Sequence, residues 1–203
     1  MCRRTAVICR LPGLINTPVP ETELNDEQLV LRAQQGNLTA YEQLVRRHQQ
    51  GLYAFIYRMV QNPADAEELC QQAFVRAWQK LAGFKGRSSF KTWLYQIAIN
   101  LTLNFRTRTR KTEELSELQP ADPATEPEAD YHRRQQEELV QQALLQLPPD
   151  QRTALVLKVY ENLSYNEIAR LMGRSVRAVD SLLVRARTRL KTLLEPARQR
   201  GLL

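Results

Sequence analysis

An all-α fold of two helical domains joined by an acidic, flexible tether is what this sequence predicts, and three observations predict it. From Asn25 onward the apolar residues recur with a helical period, and β-branched alternation of strand length is missing. The charge also changes sign twice. Residues 1–111 hold 16 basic and 8 acidic side chains, residues 112–131 hold 7 acidic and no basic ones, and residues 132–203 hold 13 basic and 7 acidic ones. Two basic blocks around an acidic segment suggest two surfaces facing a polyanion, repelled from it in between; basic surface that serves solubility alone is the alternative until motifs are read. A chain of 203 residues is long enough for one or two domains with cores of their own.

The elements follow in order. Residues 1–24 read as a flexible N-terminal extension, because the apolar run after Arg3 and Arg4 is interrupted at Arg10, too early for a secretory signal. A first helix starts at Asn25 or Asp26, carries Leu29, Val30 and Ala33, and ends near Gly36. A second runs from about Thr39 to Asn62. Asn62 as N-cap, Pro63 at the first helical position and Asp65, Glu67 and Glu68 in the first turn announce a third, ending near Leu81. The fourth begins at Ser88 or Ser89 and runs into a basic end, Arg106, Arg108, Arg110 and Lys111. Residues 112–131 then hold three prolines, seven acids and little apolar content, the composition of a linker without a core. The chain thus divides into 25–111, a linker at 112–131, a second helical domain over 132–195 and a tail over 196–203.

Several function classes find no cue. Cys2, Cys9 and Cys70 form no CxxC pair, and an odd count fits a reducing cytosol. His48 and His132 stand far apart without ligands at zinc spacing, so neither a metal nor another cofactor is expected. No Ser-His-Asp cue appears, and GFKGRSS at 83–89 lacks the spacing of a phosphate-cradling loop. The chain does not read as an enzyme. No apolar stretch is long enough to span a bilayer, so no membrane insertion is expected and the location reads as cytoplasmic.

The most specific local pattern lies between Leu147 and Leu193. Pro148-Pro149-Asp150 separates two helices, Ser164-Tyr165-Asn166-Glu167 is a capping box, Gly173 supplies a turn and Ser175 caps the last helix. At 100° per residue Val179, Leu182, Leu183, Ala186, Leu190 and Leu193 cluster on one side of that helix, while Arg177, Ser181, Arg185 and Thr188 point away. Such a face can enter the major groove, with Arg177 and Arg185 reaching guanine edges or phosphates, Ser181 allowing close approach, and the amides near Ser175 meeting a phosphate. A solvated basic face on an ordinary bundle helix is the alternative.

In the third helix Leu69, Cys70, Ala73, Phe74, Ala77 and Leu81 share one face, and Glu68, Gln71, Gln72, Val75 and Gln79 fall on or near the other. An apolar Val75 among polar neighbours suggests a docking surface, although single exposed apolar residues are common. The stretch 84–111 sets Phe90, Trp93, Tyr95 and Phe105 beside Lys85, Arg87, Lys91, Arg106 and Arg108. Gln96, Asn100, Asn104 and Arg108 recur every four residues, a strip of amides and a guanidinium suited to base edges and phosphate, and the glycine-containing loop before the helix could hold an unstacked base. Phe90, Trp93, Leu94, Ile97 and Leu101 read as core.

These residues resemble the extracytoplasmic-function (group IV, sigma-70 family) sigma factors of bacterial RNA polymerase. The resemblance covers roughly residues 25–111 and 135–193, through NPADAEELCQQAFVRAWQKLAGF from Asn62, GRSSFKTWLYQIAIN from Gly86, and LPPDQRTALVLKVYENLSYNEIARLMGRSVRAVDSLLVRARTRL from Leu147. It implies a sigma-2 helical bundle that binds and opens the −10 element and a sigma-4 helix-turn-helix domain that reads the −35 element. Glu68, Gln71, Gln72, Val75 and Arg76, with Gln79 on the same face, would dock on the β′ clamp helices of core RNA polymerase. Lys85, Arg87, Ser88 and Ser89 belong to the loop that would take a flipped base, Asn100 and Asn104 would act at the upstream edge of the melted segment, and Lys91, Gln96 and Arg108 extend that surface. Ser175, Arg177, Ala178, Ser181 and Arg185 would face the −35 groove. Core polymerase through β′ and β, promoter DNA and an anti-sigma factor are the partners the resemblance brings. Departures are visible: Gln72 stands where an acid is common, and the recognition helix reads Arg177-Ala178-Val179-Asp180-Ser181-Leu182 rather than Gly-Thr-Val-Lys-Ser-Arg, so promoter sequence does not transfer. The rival readings are a stand-alone helix-turn-helix regulator, which would bind duplex sites without polymerase, and a helical protein-interaction adaptor, which would tolerate loss of Arg177 and Arg185.

Overall fold

The structure, a computed structural model, describes residues 24–112 and 128–202, with side chains over 24–105 and 135–202. The expected extension over 1–24 and tether over 112–131 lie outside the described residues, apart from Leu24, Thr112 and 128–131. Eight α-helices are described: α1 (Asp26–Gln34), α2 (Leu38–Val60), α3 (Pro63–Lys80), α4 (Phe90–Thr112), α5 (Glu128–Leu145), α6 (Pro149–Val159), α7 (Tyr165–Met172) and α8 (Val176–Gln199), with a 3-10 turn at Leu81–Gly83 after α3.

Local chemistry starts most of these helices. Asn25 and Gln28 form a reciprocal capping box on α1, with amide-to-side-chain bonds of 2.9 and 3.1 Å. Asn37 caps α2, a start the helical period alone does not reveal. Asn62 caps α3 ahead of Pro63, as the sequence predicts, while Gln61 just before it closes α2 in the left-handed region at φ 57°. The first four helices form one bundle around Leu29, Leu44, Leu52, Phe55, Ile56, Phe74 and Leu94, all buried. Asp26 ties α1 to α2 through Arg47 at 2.5 Å and His48 at 2.7 Å. The Tyr41 hydroxyl donates to the Phe74 carbonyl at 2.6 Å and locks α2 to α3; burial pushes its pKa well up.

The second unit packs α6, α7 and α8 around Leu155, Leu157, Ile168, Leu171, Val179 and Leu183. Helix α5 begins at Glu128, inside the stretch whose composition reads as linker. At the other end α8 continues past Leu194 and through Pro196 to Gln199, and Ala197 is buried there. Buried side chains of both units form one continuous apolar cluster, and α2 touches α5 and α6 while α4 touches α7.

Candidate nucleic-acid and polymerase interfaces

Three faces hold the residues singled out by sequence. On α8, Ser175, Arg177, Ser181 and Arg185 are exposed and Ala178 is half-buried, above a buried row of Val179, Leu183 and Ala186. The turn before it is sharp: the Ser164–Glu167 capping box starts α7, Gly173 ends it at φ 60°, and Ser175 starts α8 by accepting from the Ala178 amide at 3.2 Å. One amide at this helix start is therefore already satisfied by Ser175. Arg185 Nε donates to the Ser181 carbonyl at 3.1 Å, which lays its guanidinium along the outer face, and the Ser181 hydroxyl donates to Arg177 O at 3.0 Å. Val184, 54% exposed, stands in the same stripe; the helical-period reading of the inner face passed over it because one residue off that face leaves no pattern.

The loop before α4 is pinned from below. The Gln34 side-chain amide donates to the carbonyls of Leu81 at 3.0 Å and Phe84 at 2.8 Å, and the Phe84 ring lies 4.8 Å from that of Trp93. Lys85, Arg87 and Ser89 are exposed, Ser88 is half-buried, and Gly86 takes φ 65°, which turns the chain where a side chain would be strained. Ser89 caps α4, its hydroxyl accepting from the Thr92 amide at 3.1 Å. Along α4, Asn100 and Asn104 are exposed and Gln96 and Lys91 are half-buried; the Arg108 side chain lies outside the described residues. Tyr95, one of the aromatics beside the basic cluster, is core instead, 2% exposed, with its ring 5.1 Å from Phe55.

On α3, Glu68, Gln71, Arg76 and Gln79 are exposed and Gln72 and Val75 half-buried, with Gln72 donating to Glu68 at 2.9 Å across one helical turn. Cys70 lies beneath them and packs as core, and burial pushes its thiol up to about 12. Among the described residues no group of three or more His, Cys, Asp or Glu side chains is placed to hold a metal ion. Among them too, no helix is long and apolar enough to cross a membrane.

Most of the chain is similar to known proteins. The Sigma-70 region 2 family matches residues 44–112 and the Sigma-70 region 4 family matches residues 137–190. RNA polymerase sigma-H factor of Pseudomonas aeruginosa is 38% identical, over 86% of this chain and 96% of its own length. The chain is an extracytoplasmic-function sigma factor of the sigma-70 family. The ECF RNA polymerase sigma-E factor of Escherichia coli K12 is 30% identical over 86% of this sigma factor and 96% of its own length. In three dimensions it resembles CnrH, solved in complex with the cytosolic domain of CnrY, with a TM-score of 0.65 and 27% identity, over 84% of this chain and 97% of that one. It also resembles the sigma factor RpoE of Bartonella quintana, solved with the anti-sigma factor NepR, at a TM-score of 0.62 and 28% identity, over 76% and 96%. As a sigma factor it acts with RNA polymerase in promoter recognition and transcription initiation. Region 2 spans most of α2 and all of α3 and α4, and region 4 spans the rest of the helix-turn-helix unit from within α5 into α8.

Proposed function

We propose that residues 25–111 act as the sigma-2 domain and residues 132–195 as the sigma-4 domain, tethered by 112–131, with each face described above serving one step of initiation. Glu68, Gln71, Gln72, Val75, Arg76 and Gln79 dock the protein on the β′ clamp helices. Ser175, Arg177, Ala178, Ser181 and Arg185 read the −35 element, the arginines through guanine edges or phosphates. Lys85, Arg87, Ser88 and Ser89 receive a base flipped from the −10 element, and Lys91, Gln96, Asn100, Asn104 and Arg108 hold the melted non-template strand. Capturing unpaired bases offsets unstacking of a few kcal/mol per step. Catalysis belongs to the polymerase, the protein works in the cytoplasm, and an anti-sigma factor of the kind seen with the structural relatives regulates it.

The observation that carries this reading is that three separate faces of one chain, on α3, on the loop and strip of α4, and on α8, present their polar and basic groups to solvent over buried rows that position them. Joining two weak DNA readers on one polymerase multiplies specificity through effective concentration. Run-off transcription tests it: the protein with core polymerase on templates randomised at −35 and −10, against core alone. Transcripts that depend on the protein and share two spaced elements are expected. Duplex binding without polymerase and no transcript would overturn the reading in favour of a stand-alone regulator.

A further inference from the structure

The outer face of α8 carries one residue that a surface facing phosphates has reason to avoid. Arg177, Asp180, Ser181 and Val184 stand at i, i+3, i+4 and i+7, one stripe on the side of the helix away from buried Val179, Leu183 and Ala186, and all four are exposed. Asp180 is the fifth residue of α8, in the N-terminal part from which a recognition helix reaches base edges. Arginines surround it in sequence, yet none takes it up. Among the described residues no hydrogen bond or ion pair engages the Asp180 side chain. Arg174, just before the helix, pairs with Asp150 at 2.8 Å, and Arg185 Nε turns back to the Ser181 carbonyl at 3.1 Å. The Ser181 hydroxyl donates inward to Arg177 O at 3.0 Å. Beside it the stripe therefore presents a carboxylate, a group that only accepts hydrogen bonds when ionised.

We propose that Asp180 is a specificity-determining residue of the −35 face and selects a cytosine, accepting a hydrogen bond from its N4 amino group in the major groove. The proposal rests on the reading of α8 as the −35 helix. A carboxylate brought between two rows of phosphates is repelled by both whatever the sequence, so Asp180 weakens binding wherever the groove gives it no donor. Only cytosine N4 and adenine N6 are donors there; guanine N7 and O6 and thymine O4 are all acceptors. Adenine sets its N7 acceptor beside N6, against the second carboxylate oxygen, whereas cytosine has a C5–H in that place. Cytosine is thus the base that satisfies the residue, and Asp180 acts as much by rejecting the other three as by holding this one. A lysine, which stands here in the family pattern, would do the reverse and favour phosphate or guanine. This position of the promoter is where the chain departs from relatives that carry the lysine.

Competition binding of the holoenzyme on a library randomised over both promoter elements, with the bound DNA sequenced, tests the assignment. Wild type is expected to favour cytosine about tenfold at one −35 position. Asp180→Ala should flatten that position alone, with mismatched sites binding more tightly. Asp180→Asn, whose amide both donates and accepts, should move the preference there from cytosine to adenine, through N6 and N7. Glu27→Gln, at an exposed position of α1, removes a negative charge away from α8 and should leave every −35 preference as in wild type. The same preference in wild type and both Asp180 variants would overturn the proposal. Equal flattening at all −35 positions would overturn it too, since that marks an effect of net charge or of the helix as a whole. Arg177→Ala separates these failures from that of the underlying reading. If it shifts the preference while the Asp180 variants do not, the −35 face stands and Asp180 has no part in it; if neither shifts it, the −35 face falls and the proposal with it.

Discussion

A guanidinium with no access to solvent must find acceptors, and Arg152 donates to three backbone carbonyls, of Met59 at 2.8 Å, Leu147 at 3.2 Å and Leu145. Arg152→Leu keeps apolar volume but leaves those carbonyls buried without this donor. A loss of about 3 kcal/mol in urea unfolding is expected from the cost of unsatisfied buried groups; a loss under about 1 kcal/mol would show that other donors replace it. Arg177 and Arg185 are the opposite case, charged groups in water above a buried row, so their truncation leaves the fold alone. Arg177→Ala or Arg185→Ala should weaken −35 recognition by about 1 to 3 kcal/mol, the size of one base-reading contact. Competition binding of the holoenzyme on −35 variants measures this, and unchanged promoter preference in both mutants would remove them from the reading face.

Helix α7 is short enough that its start decides its stability, and the capping box is where that start is held. The Ser164 hydroxyl, and then its amide, hold the Glu167 carboxyl below the usual carboxylate range. A carboxylate with a depressed folded-state pKa supports the fold fully above its unfolded value and loses that support as pH falls through the folded value. The stability advantage of wild type over Glu167→Gln should therefore shrink as pH drops below about 4. A difference that stays constant across that interval would refute the titration. Ser164→Ala should cost about 1 kcal/mol at neutral pH. On α4, Asn100 is exposed beside a buried neighbour, Leu101, so Asn100→Ala should impair strand opening more than initial promoter binding. Permanganate reactivity of thymines reads the opening, and equal loss of both steps would count against the role. These starts were legible in sequence because Asn62, Ser164 and Ser175 each act on the amide three residues away. The seam between the two units was not. Tyr95 and Glu161 lie 66 residues apart and Arg152 and Met59 lie 93 apart, each an ordinary polar or apolar residue in its own helix pattern, and no local period marks a partner so distant.

At the scale of the whole molecule, a continuous apolar cluster and a polar seam, in which the Tyr95 hydroxyl donates to the Glu161 carboxylate at 2.7 Å, join the two sequence-defined units. A two-state protein shows coincident transitions by probes that see different parts of it. Two probes of that kind exist here. Both tryptophans, Trp78 and Trp93, lie in the α1–α4 bundle, so their fluorescence reports that unit alone, while far-UV circular dichroism reports helices in both. In urea the wild-type fluorescence and dichroism curves should superimpose. With Tyr95→Phe and Glu161→Gln combined, the coupling across the seam is reduced to the contacts of Arg152 and Gln61 with the end of α2 and the apolar packing beside them. The curves should then separate, because each unit unfolds at a midpoint set by its own core. Superimposed curves in the double variant would mean that the remaining contacts of Arg152 and Gln61 and the apolar packing suffice to couple the units, and separated curves in the wild type would mean that the seam is too weak to join them.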